Sequence, residues 1–202
     1  MVNSIMLATL ANQMRALLQE LLAGAQPVPD GFLQDWPPIA ELRTVPPAPA
    51  TLPVLGWLAG MPGRAVPVTA PLVRALESTA TQLRWSQTYR LPEVPESFLQ
   101  NYGWAEVIGL TGPVPGERLA AGFLMLGPHT HYPSHHHMAE ELYVPLAGRA
   151  LWQQGSRLWT ERAPGELVHH HADELHAMRT TEQPLLALYV WRGNLQQRAQ
   201  LA

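Results

Sequence analysis

Apolar and polar positions follow two different periods along this chain. Over residues 1–24, Ile5, Leu7, Leu10, Met14, Leu17, Leu18, Leu21 and Leu22 recur three or four residues apart. Asn12, Gln13, Arg15, Gln19 and Glu20 interrupt them, and Gly24 closes the run. This spacing predicts an amphipathic helix. A secretory signal would need a basic start and an unbroken apolar centre, and neither is present. A second helix is predicted over Ala70–Trp85, where Leu72, Val73, Leu76 and Leu83 repeat at helical spacing. The stretch between, residues 26–53, is broken by prolines. It predicts short helices joined by extended segments, because proline interrupts long helices and central strands.

From Trp104 the texture changes. "WAEVIGL", "LAAGFLML", "ELYVPLAG", "RALWQQG", "RLWTERA", "GELVHH", "HAMRT" and "PLLALYVW" are short apolar runs. Gly112-Pro113, Gly127-Pro128, Gly148, Gly155, Pro164-Gly165 and Gln183-Pro184 separate them. Short runs at near-regular spacing predict an all-β sandwich or barrel. Gly148 and Gly155 are read as hairpin turns. The expected organisation is a helical, proline-rich region over 1–100, serving as a cap or a dimer arm, and a β-barrel over 101–202.

Composition narrows the options. Hydrophobic residues make up 47% of the 202, enough for a real core, and the formal net charge is −3. The positive charges are scattered, so a nucleic-acid partner is not expected. No apolar run approaches the ~18 residues that span a bilayer, so no membrane partner is expected either. The chain lacks cysteine and lysine. Thiolate and Schiff-base chemistry are thereby excluded, and a reducing, cytoplasmic location is consistent with the missing cysteine.

The chemistry concentrates in one place. All nine histidines lie between His129 and His176, five of them in "HTHYPSHHHMAEELY" at 129–143. If this stretch is extended with only a short kink at Met138–Glu140, alternate side chains share a face. His135, His137, Glu141 and Tyr143 then point inward, Leu142 and Val144 face the other way, and His136 and Glu140 point off the site. Two imidazoles and a carboxylate make a set of metal ligands of hard and borderline type. His176, just before another apolar run, is the best candidate for a third imidazole. Three histidines and a glutamate would leave room for water or substrate, as catalytic sites do. His129 and His131 are read as polar loop groups, and His169, His170 and His171 as supporting residues.

These spacings resemble a known superfamily. His135-x-His137-x3-Glu141-x6-Gly148 matches the first motif of the cupins. Gly165-x5-His171-x-Asp173-x2-His176-x3-Thr180 matches their second in part, with His171, Asp173 and Thr180 replacing proline, glycine and asparagine. The resemblance implies a mainly β fold: a cupin double-stranded β-helix, or jelly-roll barrel, preceded by the N-terminal α-helical region. It also implies that His135, His137, Glu141 and His176 bind one divalent transition metal ion, with Zn, Fe(II), Mn and Ni all compatible. More narrowly, Tyr132-x2-His135-x-His137-x3-Glu141-x-Tyr143, with "NYGW" at 101–104, "HAM" at 176–178 and "YVWRG" at 189–193, is similar to the cupin-type dimethylsulfoniopropionate (DMSP) lyases.

That resemblance implies a carbon–sulfur lyase. It would act on a small zwitterion, releasing dimethyl sulfide and acrylate by β-elimination, with the metal on the substrate carboxylate. Tyr143, two residues after Glu141 on the same face, is then the candidate base, and Tyr132 a candidate for orienting the carboxylate. Aromatic faces attract cations, so tryptophans of the barrel strands, Trp152 and Trp191 foremost, are candidates to hold the sulfonium. A cupin dioxygenase and a cupin that only binds a small acid are the rival readings. A homodimer is compatible with an N-terminal arm.

Overall fold

The computed structural model describes residues 2–24, 31–38 and 47–202. The expectation of short helices over 26–53 falls nearly half outside the described residues, at 26–30 and 39–46. Helix α1 spans Val2–Ala23, α2 Ala70–Thr79 and α3 Glu96–Gln100. On α1, Leu7, Leu10, Ala11, Met14, Leu17, Leu18 and Leu22 are buried, which is the predicted stripe. Each fully buried leucine contributes roughly 1.5–3 kcal/mol. Ile5 is not part of the stripe and is 68% exposed.

The second helix ends earlier than the spacing predicts. After Thr79 the chain makes one 3₁₀ turn, Ala80–Gln82, and becomes strand β1 at Trp85–Ser86. Two causes are visible. The Thr79 hydroxyl donates to the Ala75 carbonyl, a back-bond that competes with the helix. Trp85 is tied elsewhere: its indole N–H donates to the Ala80 carbonyl and its backbone pairs across to Ala105. Leu83 is buried all the same.

The remaining strands are β2 (Tyr102–Gly109), β3 (Val114–Pro115), β4 (Leu119–Leu126), β5 (His131–His136), β6 (Glu140–Gly148) and β7 (Ala150–Gln154). They continue as β8 (Thr160–Arg162), β9 (Val168–His170), β10 (His176–Arg179), β11 (Leu185–Arg192) and β12 (Gln200–Leu201). All eight predicted apolar runs contain a strand. One sheet has the order β1-β2-β4-β11-β6-β9, with β3 beside β2, and the other β12-β5-β10-β7-β8. This is the cupin β-barrel, mainly β and preceded by helices. Strand pairing begins at Trp85, ahead of residue 101.

The first sheet is covered on both faces. On its outer face Phe123 and Met125 of β4, Leu142 and Val144 of β6, and Leu186 and Leu188 of β11 share one cluster with α1 and α2. On the inner face Leu124, Tyr143, Ala187 and Tyr189 join a second cluster with Tyr132, Trp152 and Met178 of the opposite sheet. Burial on both faces is why these strands read as continuous apolar runs rather than as alternation.

Of the two predicted hairpins, one forms. Gly155, at φ +54, starts the turn between paired β7 and β8. Gly148 is not a hairpin turn, because β6 and β7 lie in different sheets. It is the corner where the chain changes sheet, with φ +80 and the Pro184 carbonyl where a β-carbon would stand.

Candidate metal and active site

Strand β5 continues through a bend at Met138–Ala139 into β6, so one extended stretch crosses between the sheets. His135 lies on β5, opposite His176 of β10 in cross-strand register. Glu141 lies on β6, opposite Trp191 of β11 on one side and His170 of β9 on the other. The alternation holds: His135, His137, Glu141, Tyr143 and His176 are all buried. His136 and Glu140 point off the site, to Asp173 at 2.6 Å and His169 at 2.8 Å respectively.

Each of the three imidazoles is held the same way. The Nδ1 of His135 lies 2.9 Å from the Pro133 carbonyl, that of His137 2.9 Å from the Ala139 carbonyl, and that of His176 2.8 Å from the Glu174 carbonyl. A carbonyl only accepts, so each Nδ1 carries a proton and each Nε2 is the atom turned into the site. The Glu141 Oε2 then meets His137 Nε2 at 2.9 Å and His176 Nε2 at 3.2 Å. Its Oε1 accepts from the Trp191 indole N–H at 2.6 Å.

Acceptors so close in a dry site need positive charge between them. In the protein without a cation, protons supply it. Burial works against charge on both His137 and Glu141, yet their mutual attraction prevails. It holds the His137 imidazole above its ordinary pKa and the Glu141 carboxyl well below its own. His135, by contrast, is held neutral, its pKa well lowered by burial and then by His176. Ligand atoms of His137, Glu141 and His176 lie within 4.8 Å of one another. With Nδ1 anchored on backbone and Nε2 converging on a carboxylate, the donor set fits a divalent metal. The His135 ring stands 4.1 Å from that of His176 and 6.4 Å from that of His137, at the cavity edge of the group.

A cavity of about 230 Å³ opens beside this group, with His135, Glu141 and Tyr143 on its wall. Tyr132 stacks on His135 at 4.0 Å and 6°, and its hydroxyl lies 3.3 Å from that of Tyr89 and 3.5 Å from that of Tyr102. Trp191 also lines the cavity and packs on His137 at 4.0 Å. Trp152 does not line it; its ring backs Tyr143 at 5.0 Å. Tyr143 is fully buried, and its phenol pKa is pushed well up by burial first and by the Glu141 carboxylate second.

The outlying histidines stay outside this group. His129 is exposed at φ +53, and His131 packs on Trp159 at 5.9 Å. His170 stacks on His176 at 4.1 Å and 15°, so it supports the site from behind. Asp173 takes φ +64 where the cupin motif has glycine, and the Thr180 hydroxyl, in place of asparagine, accepts from the Thr130 N–H and donates to the Gly127 carbonyl.

Several wall residues were assigned no role from the sequence: Tyr102, Trp104, Glu106, Tyr189 and Arg198. Glu106, Tyr189 and Tyr143 lie in one row across the sheet, through Gly122 on β4. Gly122 leaves room there, since a β-carbon would stand 2.8 Å from the Tyr189 hydroxyl. "NYGW" and "YVWRG" held Tyr102, Trp104 and Tyr189 without giving them a place, and only the register brings these residues together.

The fold and the site define a cupin-type enzyme with an internal His/Glu centre. The family model for dimethylsulfoniopropionate lyase matches residues 39–187, well over half of the chain. The chain therefore belongs to the dimethylsulfoniopropionate lyase family, and it is a lyase. It is 29% identical to the dimethylsulfoniopropionate lyase DddQ of Ruegeria pomeroyi over 156 residues, 77% of this chain and 78% of that one. The crystal structure of that DddQ covers 93% of this chain and 96% of its own, with a TM-score of 0.76 and 27% identity. A chain from the crystal structures of the DMSP lyases RdDddP and RnDddQII covers 99% of both chains, with a TM-score of 0.84 and 30% identity. Among the described residues no helix is long and apolar enough to cross a membrane.

Proposed function

We propose that the protein cleaves dimethylsulfoniopropionate into dimethyl sulfide and acrylate by β-elimination. The observation that carries this reading is the Glu141 carboxylate, set between two imidazole Nε2 atoms beside an aromatic cavity. His135, His137, Glu141 and His176 would hold one divalent transition metal ion. Bound there, such an ion supplies Lewis acidity next to the substrate carboxylate, where negative charge grows as the α-proton leaves.

The chain's own residues do the rest. Tyr143 accepts the α-proton on its phenolic oxygen; the Cα–H pair becomes the new C=C bond, and the Cβ–S pair leaves with sulfur as neutral dimethyl sulfide. No general acid is needed for that departure. Burial and the Glu141 carboxylate both oppose a Tyr143 phenolate. Positive charge held by Glu141 removes the second obstacle. Tyr132, braced by His135, Tyr89 and Tyr102, orients the carboxylate through its hydroxyl. The Trp191 face is available to the sulfonium. Trp152 supports Tyr143 from behind, so its part in this reading is positioning rather than contact with substrate. Residues 1–100 act as a cap on the barrel at 101–202, since the apolar stripe of α1 is spent within the chain.

Metal-loaded protein incubated anaerobically with dimethylsulfoniopropionate should release dimethyl sulfide into the headspace. Turnover without oxygen separates a lyase from a dioxygenase. Tyr143→Phe should keep its metal and lose about 10²–10⁴-fold in kcat, the usual weight of a general base. Turnover within a few-fold of the parent would remove Tyr143 from this role.

A further inference from the structure

The triplet His169-His170-His171 takes no direct part in the chemistry above. Strand alternation splits it between two faces. His170 looks inward, cross-strand from Glu141. His169 and His171 look outward, on the same side as Glu140, which precedes Glu141 on the paired strand. The β6–β9 pair thus presents ligand-type side chains on both of its faces.

We propose that Glu140, His169 and His171 form a second divalent-metal site on the outer face, separate from the inner centre. The Glu140 Oε1 lies 2.8 Å from His169 Nε2, and the rings of His169 and His171 are 4.7 Å apart at 68°. All three ligand atoms lie within 4.8 Å of one another. Tetrahedral ligands ~2.0–2.2 Å from zinc stand roughly 3.3–3.6 Å apart, so small side-chain adjustments close the site. Two imidazoles and one carboxylate select borderline ions of the zinc, nickel and copper class rather than magnesium or calcium. Glu140 and His169 are half-buried and His171 is exposed, which leaves an entry path and room for water.

The charges around the cluster set its strength. Arg192 Nη1 lies 3.7 Å from the Glu140 Oε2 and opposes a cation. It stands on the oxygen turned away from His169, and Asp35, 3.6 Å from its Nε, offsets it in part. Arg118 in turn pairs with Asp35 at 3.2 Å. The outer site therefore binds more weakly than the inner one. Because β9 is a three-residue edge strand, an ion there ties it to β6 directly behind Glu141 and His170.

Zinc titration of the chelator-stripped full chain tests this, followed by calorimetry and by metal analysis after dialysis. The parent should bind two equivalents in two steps. His171→Ala and Glu140→Gln, both outside the inner centre, should keep the tighter step and weaken the second at least ~10-fold, as loss of even an outer-shell partner does. His176→Ala should instead weaken the tighter step and spare the second. A single equivalent in the parent, or a second step unchanged in both outer variants, would overturn the proposal.

Discussion

The indole–carboxylate contact of Trp191 is the interaction in this site whose strength is easiest to isolate. At 2.6 Å, its N–H meets the oxygen of a fully buried, ionised carboxylate. Hydrogen bonds to charged groups contribute about 1.5–3 kcal/mol, against about 0.5–1.5 for neutral pairs. Trp191→Phe keeps a ring on His137 but removes the donor. Some additional loss follows from the smaller ring, so the single variant should lose ~2–4 kcal/mol of unfolding free energy. Glu141→Gln keeps the oxygen and removes the charge. A double-mutant cycle in urea, on metal-free protein, then isolates the charge-dependent part. The difference between the two classes of hydrogen bond predicts a coupling of about 1–1.5 kcal/mol. Additivity within ~0.5 kcal/mol would mean that the indole does not hold the carboxylate, and the account of how Glu141 is oriented would fail.

Other outcomes follow from the same geometry. His135 and His170 are held neutral, burial being the first cause, so unfolding lets them charge and their contribution is lost as pH falls below about 6.5. His137 is raised, so its contribution is full below that value and is lost as pH rises through its folded pKa. Chelator-treated protein should therefore melt highest near pH ~6.5 and lower on either side; a melting temperature that climbs steadily to pH ~9 would contradict this. Gly155→Ala, with nothing within 4 Å of the new methyl, should cost only the ~1–2 kcal/mol of a left-handed backbone. Gly148→Ala meets the Pro184 carbonyl and should cost clearly more, as chemical unfolding of the pair will show. Glu106→Gln keeps the carboxamide oxygen for the Thr111 and Gly112 N–H groups while removing negative charge from the cavity wall. If Glu106 attracts the sulfonium end of the zwitterionic substrate, KM should rise several-fold with the fold intact, and an unchanged KM would assign Glu106 to holding its loop alone.

How much of this could be read in advance varies from residue to residue. The stripe of α1, the eight apolar runs and the shared face of His135, His137, Glu141 and Tyr143 were all legible, because each is a local periodicity of 3.6 or 2. The cupin spacing extended that reading to His176, at most about 140 Å of extended chain away but adjacent in register to His135. The C-terminal end of α2 and the role of Gly148 were not legible. Whether Trp85 joins a helix or a sheet depends on Ala105, and whether Gly148 turns back or changes sheet depends on which strand β7 meets.

The rest of the cavity wall lay beyond local pattern. Trp152 and Trp191 look alike along the chain, both on strands and both facing inward, yet only Trp191 reaches Glu141, because β11 lies beside β6 while β7 lies in the other sheet. Tyr102 and Glu106 of β2, Tyr189 of β11 and Arg198 come from segments far apart in the chain. The residues themselves determined which faces are apolar and which short stretch carries the imidazoles, since backbone geometry repeats over a few residues. Tertiary structure alone decided which side chains share the cavity, since that depends on the register between distant strands.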